Sequence, residues 1–200
     1  MLFGNPHEFA IWADPVWEWS QASTVEGLYV LCIDGTFLLK RSTLSAMAVT
    51  VSGESDFWAR HLHSIENGEQ TRTAGRNKDL LLFSAFLSRG GLDYLPPSID
   101  AQKTQLLDEL SRYGIPSFDS YEGIDLTPME TGDYGWTVYL FFDEKSNEDV
   151  IVYANSKDHQ CLAQELRLPS GRVKEILAQL VTETKVLDQR RVHSPPGLGE

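Results

Sequence analysis

Residues 26–40 read EGLYVLCIDGTFLLK, two runs of β-forming side chains, Leu28–Ile33 and Thr36–Leu39, either side of Asp34-Gly35. A two-residue link of this kind tolerates positive φ at both positions and matches the twist of paired strands. It therefore predicts a β-hairpin closed by a type I′ turn. An isolated hairpin is marginal in water, so neighbouring segments must cover it. Upstream, MLFGNPHEFAIWAD offers a strand at Phe9–Trp12, ended by Asp14-Pro15, where proline removes a ladder donor. Asn5, Pro6, His7 and Glu8 break the early apolar run, so the segment is expected to stay in the fold rather than serve as a secretory leader. Downstream, STLSAMAVTVSG (42–53) joins strand-forming Val49, Thr50 and Val51 to helix-forming Ala46, Met47 and Ala48. We read it as a third strand, with helix as the alternative.

The middle of the chain turns helical. SDFWARHLHSI spaces Phe57, Leu62 and Ile65 near a helical period, with Ser55 or Asp56 as N-cap. The polar, glycine-containing stretch 66–78 reads as a long mobile loop, and DLLLFSAFLSR then resumes a helix that Gly90-Gly91 ends. Pro96-Pro97 marks a corner, Asp100 is expected to cap AQKTQLLDELSRY, and Gly114 with Pro116 stops it. GWTVYLFFD and EDVIVYAN predict a second hairpin joined by the polar DEKSNED, with CLAQELRL as a third strand beside it. In PSGRVKEILAQLVTE, Val173, Ile176, Leu177, Leu180 and Val181 form one face of an amphipathic helix. The tail HSPPGLGE has no pattern and is expected to be disordered.

Strands thus gather towards both ends with helices between, which is an α+β order rather than βαβ alternation. At 200 residues the expectation is a single compact α+β domain over 1–190, with a mostly antiparallel sheet, helices packed against it, and a disordered tail over 191–200. The two cysteines, Cys32 and Cys161, lie far apart without a C-x-x-C spacing, which favours a reducing compartment, and the cytoplasm is the expected location. No apolar stretch approaches the roughly 18 to 20 residues of a membrane span.

Net charge is −12, and its distribution matters more than its size. Residues 91–150 hold thirteen acids against three bases, and residues 1–40 hold five acids against one base. Such a surface repels nucleic-acid phosphates and anionic lipid and steers basic partners, so neither nucleic acid nor membrane is expected as a partner. Solubility alone is the plainer explanation of the same charge.

Motifs for chemistry are missing. His61-x-His63 and His159-x-Cys161 lack the paired ligands of a structural zinc site, and His61 and His63 would diverge on a helix. No nucleophile elbow, phosphate loop or dinucleotide fingerprint occurs. No catalytic residue, metal or cofactor is therefore assigned. What remains is a stretch from Tyr113 to Glu144 without a single lysine or arginine. Within it Asp119, Glu122, Asp125, Glu130 and Asp133 alternate with Phe118, Tyr121, Tyr134 and Trp136. Charge that steers and aromatics that anchor are what a surface for a basic protein requires. Asp119, Tyr121, Glu122, Asp125, Glu130, Asp133 and Tyr134 are the candidate contact residues, their carboxylates taken as solvated. A loop whose aromatics fold back on the core is the competing reading.

MLFGNPHEFAIWAD followed by GLYVLCIDG resembles the amino-terminal pattern of the immunity protein 42 family of bacterial polymorphic toxin systems. The resemblance continues through STLSAMAVTVSG and, more loosely, GWTVYLFFDEKSNEDVIVYAN and ELRLPSGRVKEILAQL, while about residues 66–130 stay unmatched. It implies a small non-enzymatic protein that binds and neutralises a cognate toxin, whose contact surface the acidity here suggests is basic. It carries no catalytic residue over. Its motif positions, Phe3, Gly4, Pro6, Phe9, Trp12 and Asp34-Gly35, are strand and turn residues, which leaves Trp17 and Trp19 as further contact candidates. Two readings compete with it: a carboxylate-dependent hydrolase among the acids of 119–133, and an acidic nucleic-acid mimic that blocks a nuclease or DNA-binding protein.

Overall fold

A computed structural model describes the chain except residues 17, 19, 21–24, 40–47, 117–119, 159–161 and 193–200, with backbone alone at 48–54, 129–130 and 187–192. In chain order come β1 (Leu2–Gly4), β2 (Phe9–Pro15), β3 (Glu26–Ile33), β4 (Thr36–Phe37), β5 (Ala48–Thr50), α1 (Val51–Glu66) and α2 (Lys78–Ser88). Next are a 3-10 turn at Leu92–Tyr94, α3 (Pro97–Asp100), α4 (Lys103–Leu110), β6 (Ile124–Asp125) and α5 (Met129–Asp133). The chain closes with β7 (Trp136–Asp143), β8 (Glu148–Asn155), β9 (Gln164–Pro169) and α6 (Arg172–Val192). The fold is α+β, and every pairing between these strands is antiparallel. The strands form two sheets, where a single sheet was expected. Two compact units result: Met1–Glu66 with Val173–Glu200, and Asn67–Arg172.

The first unit is built on the Asp34-Gly35 hairpin. Asp34 (φ 50°) and Gly35 (φ 72°) both take the left-handed conformation that a type I′ turn demands. β2 pairs along β3 from Phe9↔Ile33 to Pro15↔Gly27, so the strand runs through Asp14-Pro15 rather than stopping there. β4 and β5 share the other edge of β3. Segment 42–53 proves mixed: Ala48–Thr50 is strand, Val51 opens α1, and 42–47 lies outside the described residues. Because α1 starts directly after β5, Ser55 and Asp56 fall inside the helix and cannot cap it. Ser55 is instead buried, hydrogen-bonded at 2.8 Å to Thr184 of α6. Trp58 stacks on Tyr29 of β3 with rings 6.4 Å apart. The predicted apolar face of α6, Val173 to Val181, is buried. The tail from 193 lies outside the described residues.

The second unit is the sheet β6-β7-β8-β9. Tyr139, Phe141, Val150, Val152 and Ala154 share a core with Leu80 to Phe86 of α2 and with Leu106 and Leu110 of α4. Asp100 ends a four-residue helix instead of capping the next one, because Pro96-Pro97 starts α3 early, with proline suited to a first turn. The stretch 66–78 is tied down, contrary to expectation. Phe142 N–H donates to Thr71 O at 3.0 Å, and Thr73 N–H donates to Phe142 O at 2.9 Å, lengthening the edge beside β6. Asn77 then caps α2, its Oδ1 accepting from Leu80 N–H at 2.9 Å.

Candidate partner-binding surface

The acidic strip enters the second sheet through a clamp built from α2. Arg89 donates from Nη1 to Glu122 O and from Nη2 to Gly123 O, both at 2.6 Å. Ser88 Oγ accepts the Glu122 N–H at 2.9 Å, and Thr71 Oγ1 accepts the Gly123 N–H at 2.9 Å. Gly123 (φ +71°) is needed for space as well as conformation, since a Cβ there would lie 2.8 Å from the Phe141 ring. The guanidinium of Arg89 lies 5.7 Å from the Tyr121 ring centroid and 4.8 Å from that of Tyr139, within cation–π range of both. These contacts fix the backbone of Glu122 and Gly123, next to Tyr121, before any partner arrives.

The candidate residues separate by environment. Tyr121 is 65% exposed over Arg89. Glu122 turns inward: its Oε2 lies 3.0 Å from Nη1 of Arg76, off the donor axis, so the contact is ionic. Arg76, 7% exposed at its side chain, also donates to Thr73 O and Arg72 O. Glu122 is therefore not the solvated charge that the sequence suggested. Asp125 is half-buried in β6 opposite Tyr139, its Oδ1 accepting from Thr127 N–H at 3.0 Å. Burial first, and the Asp125 charge second, push the Tyr139 hydroxyl well above its ordinary range, against a smaller opposite pull from Arg89. Asp133 is exposed at the end of α5, where its carbonyl accepts from Lys157 Nζ. Tyr134 is half-buried, its carbonyl accepting from Asn155 Nδ2 at 3.2 Å. Asp119, Phe118, Trp17 and Trp19, and the side chain of Glu130, lie outside the described residues.

Of the histidines considered for metal, His61 is engaged locally. His61 Nδ1 sits 2.6 Å from Phe57 O and its ring packs on Phe57, while buried Cys32 donates to Pro6 O. His159 and Cys161 lie outside the described residues.

The family model for immunity protein 42 matches residues 1–183. The chain belongs to the immunity protein 42 family. It is thus an immunity protein, a neutraliser of a toxin, with a cognate toxin as its partner. The match also runs through 66–130, the part that the amino-terminal resemblance left unassigned. The crystal structure of CdiI from Burkholderia dolosa AUO158 shares the fold at a TM-score of 0.50 and 19% identity, over 92% of this chain and 99% of that chain. No match is found among curated proteins. Among the described residues, no helix is long and apolar enough to cross a membrane.

Sequence reasoning passed over Tyr94 of this immunity protein, which is 76% exposed on the 3-10 turn. The signal was an aromatic between Asp93 and Leu95-Pro96, in a segment too short to show a period. A hollow of about 300 Å3 brings it together with Asp125, Thr127, Gly132 and Trp136. Arg89 was also missed, because at the end of an apolar helix an arginine reads as a solvated terminus.

Proposed function

We propose that this immunity protein neutralises its toxin by forming a stoichiometric complex in the cytoplasm, without catalysis, and that the acidic and aromatic strip 121–134 meets a basic face of the toxin. The observation that carries the reading is Tyr121, an aromatic ring 65% exposed on a backbone that Arg89, Ser88 and Thr71 already hold. An anchor of this kind loses little conformational freedom on binding, and anchors of aromatic type dominate interface energies. The strip itself carries no base, so charge complementarity favours a cationic partner face.

Co-expression of the toxin with Tyr121→Ala and Asp133→Asn, singly and together, tests this. Circular dichroism should report native folds, calorimetry should give one toxin per wild-type chain, and the double variant should lose protection with an affinity about tenfold lower or worse. Full protection by the folded double variant would place the toxin elsewhere. Toxin recovered chemically altered after mixing would favour catalysis instead.

A further inference from the structure

Beside Tyr94 lies the hollow of about 300 Å3, and its lining is chemically one-sided. At the lower end of the size range for ligand sites, it has room for one side chain rather than a cofactor. Trp136, 8% exposed, and the freely projecting Tyr94 contribute aromatic surface. Gly132 leaves its side open, since a Cβ there would touch only the Thr127 methyl at 3.6 Å. The Thr127, Thr137 and Ser156 hydroxyls of the lining are already committed. Thr127 Oγ1 accepts from Val138 N–H at 2.8 Å, Ser156 Oγ donates to Gly135 O at 3.2 Å, and Thr137 Oγ1 faces Ala154 O at 3.5 Å. Among the described residues Asp125 is the charged residue of the lining, and its Oδ1 is engaged by the Thr127 N–H. The neighbouring cation, Lys157, is directed to the Asp133 carbonyl.

From this arrangement we infer that the hollow is a receptor for one arginine side chain of the toxin, its guanidinium pairing with the Asp125 carboxylate between the Tyr94 and Trp136 rings. A carboxylate excludes anions, and aromatic faces attract cations. A planar guanidinium can stack and pair at once, which an ammonium cannot. The inference rests on the proposal that the toxin docks on this acidic surface, and it names the side chain that docking would insert.

The test uses the full-length protein and two probes. Titration with N-acetyl-arginine methylamide, followed by the Trp136 indole resonance assigned through Trp136→Phe, should give a saturable shift. The N-acetyl-citrulline analogue, of similar shape but uncharged, should not. Asp125→Asn keeps the acceptor for Thr127 N–H while removing the charge, and Gly132→Leu fills the hollow without changing charge. Each should abolish the arginine response and weaken toxin binding about tenfold or more. An equal response to citrulline, or no saturable response, would overturn the receptor. So would toxin affinity within about twofold of wild type in both folded variants, on the reading that tenfold corresponds to one desolvated pair. If Tyr121→Ala and Asp133→Asn still weakened the toxin in that case, the surface would stand and only the hollow would fall. If those variants bound normally too, the docking surface itself would be wrong.

Discussion

At the scale of single residues, Glu122 and Asp133 show how little a residue's type says about its role. Both are acids in a stretch free of bases, yet one carboxylate faces a buried guanidinium and the other faces water. Removing one partner of a buried pair leaves the other charge uncompensated, at a cost of about 3 kcal/mol or more. Glu122→Gln should therefore lower stability by about 3 kcal/mol, because Arg76 keeps its carbonyl partners but loses its counter-charge. Asp133→Asn should stay within about 0.5 kcal/mol of wild type. Urea denaturation of the two variants decides the matter, and equal midpoints would mean that Glu122 is as solvated as its neighbours. Nothing in the sequence near Glu122 distinguishes it, because its partner, Arg76, precedes α2 in the chain and is brought to it only by the fold.

Among the elements, the clearest electrostatic device is on the hairpin of β7 and β8 with β9. Arg167 pairs with Asp143 at 2.9 Å, Glu148 at 3.1 Å and Glu165 at 2.6 Å. Hydrogen bonding to Arg167 holds the Asp143 carboxyl below its ordinary value, and bonding to Ser146 and then Arg167 does the same for Glu148. A lowered carboxyl in the folded state stabilises the protein above the unfolded value, and that stability is lost as pH falls through the folded one. The wild type should therefore lose stability between roughly pH 5 and 3, the range in which unfolded carboxyls take up protons. Arg167→Gln should be less stable at neutral pH, and its deficit should shrink across that window as Asp143 and Glu148 are neutralised. Denaturation midpoints measured against pH check the convergence; parallel curves would remove Arg167 from the account. The strands themselves were legible, since long β-branched and aromatic runs specify pairing locally. Their side-chain network was not, because it depends on the register Val150↔Arg167 and Glu148↔Pro169.

At the scale of the whole molecule, residues 91–150 carry a net charge of −10 against −12 for the entire chain, and they lie inside the unit Asn67–Arg172. Concentrated charge steers encounter over a Debye length, which shortens from roughly 10 Å at 0.1 M salt to 3 Å at 1 M. Association with the toxin should slow as salt rises while dissociation changes less, and stopped-flow mixing with purified toxin measures both. A flat association rate would reduce the acidity to a solubility device. The sequence by itself determined whatever depends on contiguous backbone chemistry. The Asp34-Gly35 turn needs two adjacent residues that accept positive φ, and the buried face of α6 needs only a helical period, so both could be read from neighbouring letters. The tertiary structure alone decided where α1 begins, because β5 pairs with β3 up to Thr50 and the chain turns straight from strand into helix. It also decided that 66–78 is tied down, because the unpaired edge of Phe142 lies far along the chain and captures Thr71 and Thr73. Division of the strands into two sheets has the same origin: ladder hydrogen bonds join segments by proximity in the fold, and no local pattern records which segments will meet.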